Sequence, residues 1–286
     1  MPEIFGSDAY SPKQITKRVE GVGVTKARLP LVTMVGLGIL AGVFIGLGAL
    51  YFTLVQADPS LNFAYSRLLG GLAFSLGLIL VVVAGAELFT GNNLLVIACA
   101  TKKISTVELL KNWLIIWISN FIGSVGLVAI VFFAQHAQMN GGAVGAAAVK
   151  IAAGKTALPF VEAFFKGILC NMLVCLAVWL AMAGRSVTDK ILGIIFPISA
   201  FVAAGFEHSV ANMYFIPLGL ALKATDPAAV AGATAIGLKE SALASLNFTG
   251  LFHNLLPVTL GNIVGGGLLV ALVYYIVYQP HKEEEK

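Results

Sequence analysis

Two long apolar stretches of this chain are interrupted at matching points. The first interruption reads Gly85-Ala86-Glu87-Leu88-Phe89-Thr90-Gly91-Asn92, the second Gly205-Phe206-Glu207-His208-Ser209-Val210-Ala211-Asn212. Each sets a Gly, then a Glu two residues on, then an Asn seven residues on, with a hydrophobic run on either side. An ionisable group in hydrocarbon is costly and marks a pathway or a buried site. Two such breaks in corresponding places of two halves point to a midplane binding site between repeats, the layout of a membrane transporter. Composition agrees that the solvent is lipid. The chain is 58% hydrophobic and 11% charged, with a mean hydropathy of +0.92, whereas a soluble domain carries about 25% charged residues.

Runs long enough to span (about 20 residues) fall at 31–55, 113–134, 160–183 and 254–278. Residues 66–86 and 94–100 flank the first break, and 191–204 and 210–222 the second. The expected fold is therefore an all-α integral membrane protein of six passes, with the second and fifth broken. Lys and Arg divide twelve to six between the two sides, the larger share falling on the side of both termini. The positive-inside rule makes that side cytoplasmic. The connectors 135–159 and 223–253 then face outside and read as irregular Gly, Ala and Thr-rich segments. Ser11-Pro12 reads as an N-cap with Pro at the first helical position. The helix over 11–28 is either a plain surface helix or an interfacial one covering a pore mouth. The first 30 residues are polar and carry five Lys/Arg, so the first span is expected to serve as the targeting element.

The halves read as weak copies. Gly38-Ile39-Leu40-Ala41-Gly42 resembles Gly167-Ile168-Leu169-Cys170-Asn171, and Asn120-Phe121-Ile122-Gly123 resembles Asn262-Ile263-Val264-Gly265. Three passes per half is odd, so the copies are inverted. The expected domains are a cytoplasmic N-terminal segment over 1–30, a pore domain over 31–278 with repeats 31–134 and 160–278, and a cytoplasmic tail over 279–286. Glycines concentrated in the spans allow close helix packing.

Backbone that leaves a helix within the membrane must be buried in protein or line a cavity. The half-helix N-termini expose N–H groups that suit a small anion. His208 is the only histidine deep in an apolar segment, since His136, His253 and His281 fall in or near connectors. It is either a buried neutral ring joining two loops or a group that hands a proton to a passing weak acid. Glu87 and Glu207 would repel an anion. They are expected to accept hydrogen bonds from broken backbone N–H groups or to be protonated. Asn171 either orients His208 or caps a broken end, and Asn92 and Asn212 are expected to cap. Phe74, Leu78, Leu88, Phe89, Phe201 and Phe206 are packed bulk or a pair of hydrophobic constrictions, which gate by excluding water. Cys99, Cys170 and Cys175 read as small core residues. A net charge of +4 without clustered basic residues gives no nucleic-acid footprint.

Several runs together resemble the formate/nitrite transporter family, in its formate channel branch. They are Gly70-Gly71-x-x-Phe74-Ser75-x-Gly77-Leu78, Gly85-Ala86-Glu87-Leu88-Phe89-Thr90, Lys111-Asn112-Trp113, Gly184-Arg185-Ser186, Ala204-Gly205-Phe206-Glu207-His208-Ser209-x-Ala211-Asn212-Met213 and Pro257-x-Thr259-x-Gly261-Asn262. The resemblance covers roughly residues 20–280. It implies an aquaporin-like inverted repeat of three plus three helices, assembled as a homopentamer with one pore per protomer in a bacterial inner membrane. It implies His208 as the central pore histidine with Thr90 opposite, and Asn171 and Glu207 in its support. Leu78, Leu88 and Phe89 would form a cytoplasmic constriction, Phe74 and Phe201 a periplasmic one. Formate is the first expected substrate, with nitrite, acetate, lactate and hydrosulfide as alternatives, and no cofactor is expected. Two rivals are weaker. An intramembrane enzyme would need a second His at helical spacing, as in His-Glu-x-x-His. A haem subunit would have to pair His208 with His253, 45 residues away.

Overall fold

A computed structural model describes residues 9–278. Residues 1–8 of the expected N-terminal segment, and the expected tail over 279–286 with His281, lie outside the described residues. The described chain is helical almost throughout, and Ala9 and Gly184 form an isolated β-bridge. In chain order the helices are α1 (Pro12–Ala27), α2 (Leu31–Gln56), α3 (Phe63–Ile79), α4 (Val96–Ala100), α5 (Thr106–Phe133), α6 (Ala143–Thr156), α7 (Phe160–Ala183), α8 (Val187–Ala204), α9 (Ser209–Thr225), α10 (Pro227–Ala235), α11 (Glu240–Ser245), α12 (Phe248–Ile263) and α13 (Val273–Tyr278).

Six helices among the described residues are long and apolar enough to cross a membrane: Leu31–Gln56, Phe63–Gly85, Thr106–Phe133, Phe160–Ala183, Val187–Ala204 and Phe248–Tyr278. The third begins earlier than its hydropathy indicates. Ser105 and Glu108 form a reciprocal capping box that starts α5 inside a polar stretch. Two segments are wider-wound π-helix, Leu80–Gly85 continuing α3 and Val264–Leu272 joining α12 to α13. Neither was legible from hydropathy.

The repeat shows in how helices meet. A methyl group on Gly123 of α5 would overlap the Ile39 carbonyl of α2, and one on Gly265 would overlap the Ile168 carbonyl of α7. Small residues let backbones approach closely where lipid gives no hydrophobic drive. α2 packs on α3 and α5, and α7 packs on α8 and α12 in the same relation.

The connectors expected to be irregular are largely helical. Residues 143–156 form α6, and 227–235 and 240–245 form α10 and α11. α6 is buried on most sides, with Val149, Ala152 and Ala153 fully enclosed. An Ala-rich helix packed all round has no polar face, so it carries no 3.6-residue period to read. The N-cap expected at Ser11 is present. Gln14 N–H donates to Ser11 Oγ at 3.4 Å, and Ser11 N–H donates to Gln14 Oε1 at 2.8 Å. α1 is more than a surface helix: it buries Ile15, Val19, Gly23 and Ala27 against the helices that follow.

Candidate functional site

Both broken passes turn at a glycine with positive φ. Gly85 sits at φ +89° and Gly205 at φ +74°, a conformation most side chains disfavour. The chain then runs extended toward the middle of the molecule. Glu87 N–H donates to Leu37 O at 3.1 Å, and Glu207 N–H donates to Lys166 O at 3.2 Å. The same backbone step is thus anchored on the first helix of each half.

Two asparagines satisfy further backbone groups at the breaks. Asn120 Nδ2 donates to Gly38 O (2.8 Å) and Glu87 O (2.9 Å), and its Oδ1 accepts from Phe89 N–H (2.9 Å). Asn262 Nδ2 donates to Gly167 O (2.8 Å) and Glu207 O (3.0 Å), and its Oδ1 accepts from Ser209 N–H (3.0 Å). Both side chains are wholly buried. Unpaired backbone groups there would each cost free energy comparable to a lost hydrogen bond.

Each glutamate belongs to a second matched cluster. Lys26 Nζ lies 2.9 Å from Glu87 Oε1, and Asn92 Nδ2 donates to Glu87 Oε2 (2.8 Å) and Asn112 Oδ1 (3.0 Å). Lys155 Nζ lies 2.9 Å from Glu207 Oε1, and Asn212 Nδ2 donates to Glu207 Oε2 (2.6 Å) and Asn254 Oδ1 (2.7 Å). Asn112 Nδ2 reaches back to Lys26 O and Asn254 Nδ2 to Lys155 O. α1 and α6 therefore occupy equivalent positions, each supplying the lysine for one break. These contacts correct two expectations. Glu87 and Glu207 take their hydrogen bonds from lysine and asparagine side chains, not from broken backbone. Asn92 and Asn212 hold carboxylates and do not cap helix ends, because their amides point at the glutamates five residues earlier.

His208 is the N-cap of α9. Ala211 N–H donates to its Nδ1 at 3.0 Å, and its Nε2 lies 2.8 Å from Thr90 Oγ1. A backbone N–H can only donate, so Nδ1 carries no proton in this arrangement. The neutral ring then bears its proton on Nε2 and donates it to Thr90 Oγ1. One contact joins the two breaks, and both side chains are buried. Asn171 does not touch His208. The two protons on its Nδ2 are shared among Thr90 O (3.2 Å), Asn93 Oδ1 (2.7 Å) and Asn262 O (2.7 Å), which fixes the Thr90 loop against the second half. Cys175 Sγ donates to the same Thr90 carbonyl at 3.4 Å. Glu207 likewise reaches the ring only through the chain. Neither Asn171 nor Glu207 hydrogen-bonds to His208 itself.

Two cavities lie toward opposite ends of α2. One, of about 390 Å³, is bounded by Phe52, Arg67, Phe74, Lys155, Phe201 and His208. The other, of about 480 Å³, is bounded by Val19, Lys26, Leu37, Leu78, Glu87 and Leu88. Phe74 and Phe201 meet edge to face with centroids 5.7 Å apart, and Phe201 lies 6.0 Å from the His208 ring. Phe206 also borders the first cavity. Phe89 borders neither. Its amide is held by Asn120 and its ring packs edge-on against Trp113 of α5, 6.3 Å away. His253 is exposed on α12, in contrast to the enclosed His208.

Residues 13–276 match the Formate/nitrite transporter family. The chain belongs to the formate/nitrite transporter family. The Formate channel FocA of Escherichia coli (strain K12) is 41% identical over 276 residues, 95% of each chain. The Formate channel FocA of Haemophilus influenzae is 36% identical over 283 residues, covering 97% of this chain and 98% of its own. A solved pentameric formate channel with formate bound is 41% identical, with a TM-score of 0.79, over 87% of this chain and 98% of that one. Membership, together with the six membrane-crossing helices, makes this a multi-pass membrane protein.

Sequence reasoning missed Lys26 and Lys155, which join the glutamates, and Asn112 and Asn254, which complete the clusters. A signal was present in the asparagines. Asn92, Asn93, Asn112, Asn120, Asn171, Asn212, Asn254 and Asn262 are all fully enclosed in this formate/nitrite transporter family member, and a buried amide needs partners.

Proposed function

We propose that this protein is a channel for small monovalent anions, formate first, with one pathway per protomer of a homopentamer. The single observation that carries the reading is the 2.8 Å His208–Thr90 contact, which lies between the two broken passes with a cavity toward either end. We infer that both termini face the cytoplasm and that the cavity bordered by Phe74 and Phe201 opens outward. The anion gathers in the cavity beside its cations, Lys155 among them. Phe74 and Phe201 on the outer side, and Leu78 and Leu88 on the inner, exclude water and disfavour the hydrated charge.

At the centre His208 Nε2–H exchanges its Thr90 partner for the anion. With Nδ1 already accepting from Ala211 N–H, the ring offers one proton, and a strong hydrogen bond is the first step. Full transfer needs the imidazolium, which forms only when the Ala211 bond is given up and Nδ1 takes a proton from water; passing the Nε2 proton to the anion returns the ring to its neutral form. The near-neutral species then crosses the far constriction, so net flux follows the pH difference. The relatives that share the fold are named as formate channels, which supports formate as first substrate and transport over catalysis.

Uptake of formate, nitrite and lactate into proteoliposomes, side by side at two pH values, tests the reading. Formate is expected to enter fastest and faster when the outside is more acidic. Faster nitrite or lactate entry would reassign the substrate, and entry no faster than in protein-free vesicles would overturn transport.

A further inference from the structure

The cavity on the Phe74–Phe201 side is far larger than formate requires. Its volume is about 390 Å³. At about 30 Å³ per water-sized group, a three-atom anion leaves most of that space empty. About 300–1,000 Å³ is the range that encloses a larger organic ligand, lined by apolar and aromatic groups with a few placed polar ones. Phe52, Phe206 and Phe215 supply such walls here, beside Phe74 and Phe201.

The cations on this cavity fall into two kinds. Lys155 is paired with Glu207 at 2.9 Å and Lys166 with Glu162 at 2.7 Å. Arg67 and Lys150 have no carboxylate partner among the described residues. Arg67 Nε donates to Ala203 O at 2.8 Å, at the end of α8, and Lys150 Nζ donates to Ile236 O at 2.6 Å. The terminal guanidinium nitrogens of Arg67 have no protein acceptor among the described residues, although the side chain is partly buried on the cavity wall. A guanidinium with a free N–H edge binds a carboxylate through two parallel hydrogen bonds. Aromatic walls beside it favour a flat apolar body on that carboxylate. The edge-to-face pair of Phe74 and Phe201, 5.7 Å between centroids, leaves no slot for another ring.

We propose that this vestibule is a binding site for an aryl monocarboxylate of the arylacetate class, held by Arg67 and Lys150 against the phenylalanine walls, which occludes the pathway without crossing it. The occlusion rests on the transport reading above, whereas the binding does not.

Phenylacetate is the probe, with neutral phenylacetamide as its isostere. Binding to detergent-solubilised protein is read by saturation-transfer NMR on the ring protons, and block is read as formate flux into proteoliposomes relative to each variant's own unblocked flux. Phenylacetate is expected to give a transfer signal and to block in the millimolar range, with phenylacetamide doing neither. Arg67→Gln is expected to raise the half-blocking concentration at least tenfold. Lys150→Gln is expected to raise it severalfold, and it decides the matter if Arg67→Gln fails to assemble. Equal block of wild type and variants, equal block by the amide, no transfer signal, or protein-dependent uptake of radiolabelled phenylacetate would each overturn the proposal. A transfer signal without any formate flux would sink the transport reading and leave the site standing.

Discussion

At the scale of single residues, Asn120 and Asn262 hold the breaks open. Each closes three hydrogen bonds to backbone that has left its helix. A group left buried and unsatisfied costs about 1–3 kcal/mol. Asn262→Leu is therefore expected to lower the thermal unfolding midpoint of the purified protein by several degrees, followed by intrinsic fluorescence, and an unchanged midpoint would remove the asparagine from this role. The Thr90 hydroxyl has a different task, accepting from His208. Thr90→Ser is expected to keep formate flux within a few-fold of wild type, while Thr90→Val is expected to lose it about tenfold or more in the same vesicles. The two asparagines were legible as a repeated motif, but their partners were not, because those partners lie 31 to 95 residues away in the chain. Periodicity reports faces of one helix and is silent about what a polar group in another helix touches.

At the scale of elements, each broken pass needs a glycine turn, an asparagine brace and a lysine–glutamate pair delivered by a flanking helix. Gly205 closes α8 in the left-handed region, where a Cβ costs about 1–2 kcal/mol. The Lys155–Glu207 pair is more enclosed than Lys26–Glu87, with lysine side chains 15% and 25% exposed. Breaking a buried pair from one side costs about 3–5 kcal/mol because the other charge is left unpaired. Lys155→Met is expected to approach that loss in chemical or thermal unfolding, and Lys155→Met with Glu207→Gln is expected to recover more than half of it. A double variant no more stable than the single one would contradict the pairing. The breaks were readable from sequence because a carboxylate inside an apolar run is conspicuous. α6 was not, since its alanines and glycines are buried on most sides and give no alternation. The π-helical segments were equally hidden, because side-chain hydropathy does not report backbone winding.

At the scale of the molecule, the described protomer leaves many large apolar side chains on its outside. Val32 is 85% exposed, Phe248 75% and Phe196 74%. On a water-soluble protein such a surface would aggregate or bind a partner; here it suits lipid tails and, in the proposed pentamer, sister subunits. Native mass spectrometry from detergent is expected to give five copies, and a monomer or tetramer stable across detergents would contradict the assembly. Membrane class, pass count and inverted order were all legible in the chain, because low charge and paired breaks constrain a bilayer protein severely. The cavities were not, since their walls come from helices in both halves.

The proposed pathway has a small anion pass His208 and take a hydrogen bond or proton from it. Formate uptake into proteoliposomes, wild type against His208→Phe at two external pH values, tests this most directly. The wild-type rate is expected to rise on external acidification, and the variant to be at least tenfold slower, its remaining flux having lost that dependence. A His208→Phe protein carrying formate at the wild-type rate with the same pH dependence would contradict it.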